Sequence, residues 1–114
     1  MTIYGIPGCD STKMALRWLK KNGLQFEFHN YKLSGISAAR LQEWAEQVGW
    51  QSLLNRKSTT WRGLPIEQQA KANGKAGAIE LMVKNTSLIK RPLIEHKGKI
   101  IVGLDTDLYN KKLL

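Results

Sequence analysis

The chain has 114 residues, 42% of them hydrophobic, and carries 18 Lys and Arg against 9 Asp and Glu, a formal charge of +9. That length suits one domain with a modest core. No apolar run approaches the roughly 20 residues of a membrane span. The opening Met1-Thr2-Ile3-Tyr4-Gly5-Ile6 lacks the basic region and cleavage signal of a secretory peptide, so a cytoplasmic location is the default expectation. The single cysteine excludes an internal disulfide and the usual cysteine-rich zinc sites. His29 and His96 have no carboxylate three or four residues away, so no metal site is expected.

Thr2 to Ile6 is a short β run closed by Pro7-Gly8. Asp10, Ser11 and Thr12, residues that cap helix N-termini, open a helix from about Ser11 to Asn22. Its stripe is Ala15, Trp18, Leu19 and Asn22, and Gly23 supplies the left-handed stop. Phe26 and Phe28 alternate with Glu27 and His29 as a second strand, completing a segment of βαβ size.

Ser37 is a good N-cap for a helix with the stripe Leu41, Trp44, Ala45 and Val48, stopped by Gly49. Trp50 to Gly63 has no long periodicity and reads as irregular and exposed. Pro65 suits the first turn of a short helix ending at Asn73-Gly74. Ile79, Met82 and Val83 mark another helix, from about Ala76 to Asn85. Leu88 to Glu95 is β-like, with Pro92 inside it. His96-Lys97-Gly98 turns the chain into a last strand, Lys99 to Val102, as an antiparallel hairpin. Asp105 or Thr106 caps a short C-terminal helix. The order β-α-β, helices, β-β-α predicts an α/β, thioredoxin-type plan interrupted by helices.

Cys9 lies between a strand-ending Pro7-Gly8 and a helix start. Free cysteine is often a small buried hydrophobe. Here the flanks, Pro-Gly and Asp-Ser-Thr-Lys, are those of a loop and favour a thiolate held at a helix N-terminus, where unpaired N–H groups and the peptide dipoles stabilise negative charge. Gly8 lets the backbone approach a bound group, and Ser11, Thr12 and Lys13 add donors that can hold an oxyanion. Asp10 opposes the thiolate. Pro92 reads either as an edge residue or as a cis-bond residue. Arg91 before it either grips an oxyanion or carboxylate and stabilises the thiolate, or is solvated at a strand edge. The segment Leu53 to Arg62, with Arg56, Lys57 and Arg62 among hydroxyls and Trp61, is either an anion or macromolecule contact or a solvated loop. A chain of this charge attracts anions generally. The cations are dispersed, without a run of five to eight, so nucleic acid is the last-ranked partner.

Tyr4-Gly5-Ile6-x-x-Cys9-Asp10-x-x-Lys13, Leu54-Asn55-Arg56, Thr59-Thr60-Trp61 and Lys90-Arg91-Pro92, in register over nearly the whole chain, resemble the arsenate-reductase-like (ArsC) family in its Spx/YffB branch. The resemblance implies a thioredoxin-like fold, a mixed four-stranded sheet, in a single domain. The thioredoxin-like parts would be about 1–35 and 87–114, the helical insertion about 36–86, and the proline typically cis. It implies Cys9 as nucleophile and Arg91 as an oxyanion-binding arginine, with Arg56 in the segment of another. A third arginine belongs just after the last strand, where this chain reads Val102-Gly103-Leu104-Asp105; arsenate itself is therefore not the expected substrate. The expected function is that of a glutathione-dependent thiol oxidoreductase working through a mixed disulfide. Cys9 and Arg91 would be catalytic, and Gly8, Ser11, Thr12, Lys13, Arg56 and Pro92 would form the anion-binding site. No bound cofactor is implied; glutathione would be co-substrate and glutaredoxin a further partner, with the chain a monomer. The alternative is an Spx-like regulator contacting RNA polymerase without catalysis, although Thr12 replaces the second cysteine of that branch's Cys-x-x-Cys switch.

Overall fold

The computed structural model describes all of residues 1–114. In chain order the elements are β1 (Thr2–Gly5), α1 (Asp10–Lys21), β2 (Glu27–Asn30), α2 (Tyr31–Ser34), α3 (Ala38–Val48), α4 (Trp50–Leu53), α5 (Thr59–Arg62), α6 (Ile66–Ala70), α7 (Lys75–Lys84), β3 (Leu93–His96), β4 (Lys99–Val102) and α8 (Thr106–Leu113), with 3-10 turns at Lys71–Asn73 and Thr86–Leu88. No helix is long and apolar enough to cross a membrane. The chain divides into two compact units, one of Met1–Ser34 with Arg91–Leu114 and one of Gly35–Lys90.

The first unit holds a mixed four-stranded sheet in the order β2-β1-β3-β4. β1 runs parallel to β2, with Ile3 opposite Phe28, and antiparallel to β3, with Ile3 opposite Ile94. β3 pairs antiparallel with β4, placing Ile94 opposite Ile101. Lys97 and Gly98, both at positive φ (52° and 78°), make the two-residue hairpin turn whose twist matches the strands. Because side chains alternate across a strand, Ile3, Ile94 and Ile101 share one face. There they pack with Ala15 and Leu19 of α1 and with Tyr109 and Leu113 of α8. Burying each large aliphatic contributes roughly 1.5–3 kcal/mol. The stripe of α1 runs Thr12, Ala15 and Leu19, with Trp18 half-buried; Asn22, expected in it, is exposed because the helix ends at Lys21.

In the second unit Ser37 caps α3, its Oγ accepting from Arg40 N at 3.1 Å, and Leu41, Trp44 and Ala45 are buried while Val48 is only partly so. The segment expected to be irregular, 50–63, instead contains α4 and α5, with Leu53 and Leu54 buried. A single helical turn is too short to show a period, and what fixes α5 is local: Ser58 Oγ accepts from Trp61 N at 3.1 Å. α7 begins at Lys75. Ala78, Ile79, Leu81 and Met82 are its buried residues, whereas Val83, taken as a core marker, is 37% exposed. Leu88 is buried in a 3-10 turn and not in a strand; β3 starts only at Leu93, after the proline that cannot donate to a ladder. Asp105 Oδ1 accepts from Leu108 N at 3.0 Å and caps α8.

Candidate active site around Cys9

β1 ends at Gly5, and the chain turns through Pro7-Gly8, closed by Cys9 N donating to Ile6 O at 3.0 Å. Cys9 is itself the N-cap of α1, with extended backbone (φ −83°, ψ 125°), and its carbonyl accepts from Lys13 N at 3.0 Å. The cap expected from Asp10, Ser11 or Thr12 is thus displaced by one to three residues. The sulfur stands where a capping oxygen would, facing the amide of Thr12 without a full side-chain cap bond.

Partial burial pushes the Cys9 thiol up. The Thr12 N–H, the Arg91 guanidinium and the Thr12 hydroxyl outweigh it, and the net effect holds the thiol below its ordinary value. Asp10, the carboxylate expected to oppose ionisation, is exposed and is not among the groups acting on the sulfur. Thr12 is fully buried, and its Oγ1 has no hydrogen-bond partner of good geometry; Cys9 is the group it acts on. Gly5 makes that placement possible, since a Cβ there would lie 2.6 Å from Thr12 Oγ1 and 2.7 Å from its Cγ2. Neither the burial of Thr12 nor the role of Gly5 is visible in the sequence, which gives no sign that these residues meet.

Arg91 is half-buried and reaches Cys9 from the start of β3; the Arg91–Pro92 peptide is cis and Pro92 is buried. Pro92 O accepts from Gly103 N at 2.7 Å, tying this loop to the one after β4. That second loop is where the family pattern would put a third arginine. Asp105 there serves as the α8 cap, while Gly103 O accepts from Tyr109 Oη at 2.5 Å. Of the remaining residues, Ser11 is half-buried and Lys13 exposed on the first turn of α1. Gly8 is not among the glycines at positive φ, and a Cβ there would meet nothing within 4 Å.

Arg56 belongs to the second unit and is held there. Its Nη2 donates to Ala72 O at 3.3 Å, and the guanidinium lies 5.5 Å from the Trp61 ring centroid and 5.9 Å from that of Trp50. Arg56, Lys57 and Lys90 line one recess of that unit with Gln51, Leu54 and Asn55.

Sequence reasoning also missed Tyr31. It is 1% exposed and stacks on Tyr4 at 6.0 Å, while His29 lies 4.8 Å from Tyr4. The Tyr31 hydroxyl has no hydrogen-bond partner; burial first, then Tyr4, drives its ionisation far up, and Arg91 only partly opposes this. Nowhere do three or more His, Cys, Asp or Glu gather in a metal-holding group.

Comparison with known proteins adds to this geometry. The ArsC family model matches residues 4–112. An uncharacterized protein of Haemophilus influenzae is 38% identical over 109 residues, 96% of this chain and 95% of that protein. A global transcriptional regulator Spx of Streptococcus pyogenes is 28% identical over 109 residues, 94% of this chain and 80% of its own. Among solved structures, a YffB protein superposes with a TM-score of 0.93 at 42% identity, covering 99% of this chain and 98% of that one. An arsenate reductase related protein from Brucella melitensis gives 0.75 at 40% identity, over 98% and 92%. An arsenate reductase from Vibrio cholerae, at 19% identity and a TM-score of 0.80 over 97% of each chain, shares the fold. The fold is thioredoxin-like.

Proposed function

We propose that this chain, which belongs to the ArsC family, is a glutathione-dependent thiol oxidoreductase working through Cys9. The observation that carries the reading is the sulfur at the N-cap of α1, with the Thr12 amide, the Arg91 guanidinium and the Thr12 hydroxyl all favouring its ionised form. A thiolate is the nucleophile in thiol–disulfide chemistry, and a helix N-terminus with a neighbouring arginine is the setting that supplies one at neutral pH.

In the first step the Cys9 thiolate attacks one sulfur of an oxidised thiol substrate. A Cys9 mixed disulfide forms and the other sulfur leaves as a thiolate. With one cysteine in the chain, the second step takes an external thiol. Glutathione thiolate attacks the mixed disulfide, leaves as the new disulfide, and returns Cys9 as thiolate. The new disulfide joins glutathione to the remaining half of the substrate, and a second glutathione thiolate releases that half as a thiolate, forming glutathione disulfide; two glutathiones thus supply the two electrons that reduce the substrate. Arg91 and Lys13 hold peptide carboxylates and the developing charge, and Ser11 and Gly8 border the entry to the sulfur; Arg56 is a separate anion contact within the second unit. Asp105 in place of a cation after β4 disfavours arsenate as substrate. Glutaredoxin is a second source of the reducing thiol.

The test is mass spectrometry after exposure to oxidised glutathione. A Cys9 adduct forming faster than on a free cysteine peptide is expected, with turnover on adding glutathione. Equal or slower adduct formation overturns the reading. The Spx relatives favour a second reading, an RNA-polymerase-binding module. It predicts that Cys9→Ser captures purified RNA polymerase undiminished while thiol activity is absent.

A further inference from the structure

α1 carries a second feature, of which the thiol chemistry uses only Lys13. Counting in fours from the N-cap gives Cys9, Lys13, Arg17 and Lys21, so a line of three cations runs down the helix from the sulfur. At 1.5 Å per residue the line extends about 18 Å from Cys9. All three cations are exposed, and none of their side chains makes a hydrogen bond or ion pair. Beside them, Met14, Arg17, Trp18 and Lys21, at the i, i+3, i+4, i+7 spacing, form one wall of a recess of about 310 Å³ closed by Leu104 and Thr106. Its apolar part is preformed: Trp18 is held edge-on against Tyr109 with centroids 5.5 Å apart, and Met14 is left 53% exposed. Leu104 follows Gly103, whose amide bonds to Pro92 O next to Arg91, so one wall of the recess is adjacent in the chain to the loop that is tied to the Arg91-Pro92 segment.

We propose that this face of α1 is the docking surface for a protein thiol whose cysteine is flanked by apolar residues and carboxylates, and that it steers that thiol to a Cys9 mixed disulfide. The proposal rests on the Cys9 reading above. An apolar patch bordered by cations of one sign is complementary to an apolar patch bordered by carboxylates, and such complementarity raises the encounter rate more than the affinity. A nucleic acid would use the cations and leave the Met14–Trp18–Leu104 recess unfilled. The partner's thiolate attacks the glutathione sulfur of the Cys9 adduct, a partner–glutathione disulfide forms, and Cys9 leaves as thiolate. The partner's sulfur is oxidised and Cys9 is reduced.

The experiment starts from the isolated Cys9–glutathione adduct and follows its loss by mass spectrometry with three reductants. These are 2-mercaptoethanol, a peptide of one cysteine, two leucines and four glutamates, and the same peptide with lysines for glutamates. At low salt the acidic peptide should react about fivefold or more faster than the basic one, and the ratio should fall towards one at high salt, as exposed charges are screened. Arg17→Glu with Lys21→Glu should abolish or invert the preference while the 2-mercaptoethanol rate stays within about twofold. The same charge change at Lys111 and Lys112, in the last turn of α8, should leave the preference largely intact, which separates this surface from the general attraction of a +9 chain. Met14→Gln should slow the acidic peptide about two- to threefold without altering the salt dependence. Equal rates for the two peptides overturn the proposal. So does a preference that survives the Arg17/Lys21 reversal, or a single-stranded oligonucleotide that displaces the acidic peptide at physiological salt. Failure of the adduct to form refutes the Cys9 reading and takes the proposal with it, whereas an adduct reduced normally by 2-mercaptoethanol but without charge preference refutes the docking surface alone.

Discussion

Replacing Arg91 by Met removes the guanidinium from Cys9 while keeping a long side chain in a half-buried place. A unit positive charge about 4 Å from a thiolate contributes about 1 kcal/mol at the dielectric of water and about 4 kcal/mol at an effective value of 20. Cys9 is only partly buried, so solvent screening keeps the loss near the lower figure, about 1 kcal/mol. At a pH below both inflections the thiolate population then falls about fivefold. A more basic thiolate is also a better nucleophile, with a Brønsted slope of about 0.4–0.5, which returns about a factor of two. The net expectation is a reaction about two- to threefold slower at acidic pH, an inflection moved to higher pH, and an alkaline plateau about twofold faster than in the parent. The two pH–rate curves therefore cross. The assay is stopped-flow absorbance with a neutral dipyridyl disulfide, which avoids any direct effect of Arg91 on a charged reagent. Thermal melts confirm that the variant is folded, and Arg91→Lys, which keeps the charge, should lie between. Superimposable curves, or an inflection moved to lower pH, would refute the assignment of Arg91 as a stabiliser of the thiolate.

Gly5→Ala puts a Cβ into the space of the Thr12 side chain, so it should destabilise by about 1–3 kcal/mol in denaturant titration and move the Cys9 inflection to higher pH; an unchanged inflection would separate Thr12 from the thiol. Tyr31→Phe removes a buried hydroxyl that has no hydrogen-bond partner and should raise stability by about 1 kcal/mol or more in denaturant titration. Tyr109→Phe instead breaks the bond to Gly103 O and should cost about 1 kcal/mol or more. Burial holds the Tyr109 hydroxyl up at about 12 against an ordinary value of about 10. The folded state therefore keeps a proton that the unfolded state gives up, and stability declines as pH rises from about 10 through about 12. Urea midpoints across that range should fall less steeply for Tyr109→Phe than for the parent. Asp105→Ala removes the α8 cap and should cost about 0.5–2 kcal/mol, with no loss of Cys9 reactivity if Asp105 is structural.

Legibility from sequence followed the range of the interaction that fixes each feature. α3, α8 and the β3–β4 hairpin were legible because caps, turn residues and periodicity lie within a few residues of each other: Ser37, Asp105 and Lys97-Gly98 do in the structure what such residues do in general. The one-turn helices α4 and α5 were not, since four residues cannot display a 3.6-residue period. At the site, Cys9 was legible at a helix start through the Pro-Gly turn before it, whereas the residues around Arg91 left it open between an anion contact and a solvated strand edge, because the groups it meets lie in another element. Thr12 reads from sequence as an exposed donor because its burial depends on Gly5, seven residues back and in a different element. Arg56 reads as a free cation because its clamp is built from Trp50 and Trp61, on either side of it in α4 and α5.

The same distinction bears on how the thiol is activated. Three of the influences that lower the Cys9 thiol do so from different sources: a backbone amide of its own helix, a hydroxyl placed by the contact with Gly5, and a guanidinium from the other half of the sheet. The amide is a consequence of the helix starting at Cys9, and substitution of side chains leaves it in place. The other two depend on the tertiary packing of α1 and the β3 entrance onto the sheet. Mild destabilisation that loosens this packing without melting α1 should therefore raise the inflection of Cys9 part of the way, leaving the contribution of the helix terminus. Measured at urea concentrations below the unfolding transition, a Cys9 inflection that climbs while the helical circular dichroism is constant is the expected result. An inflection fixed until α1 itself melts would assign the activation to the helix N-terminus alone.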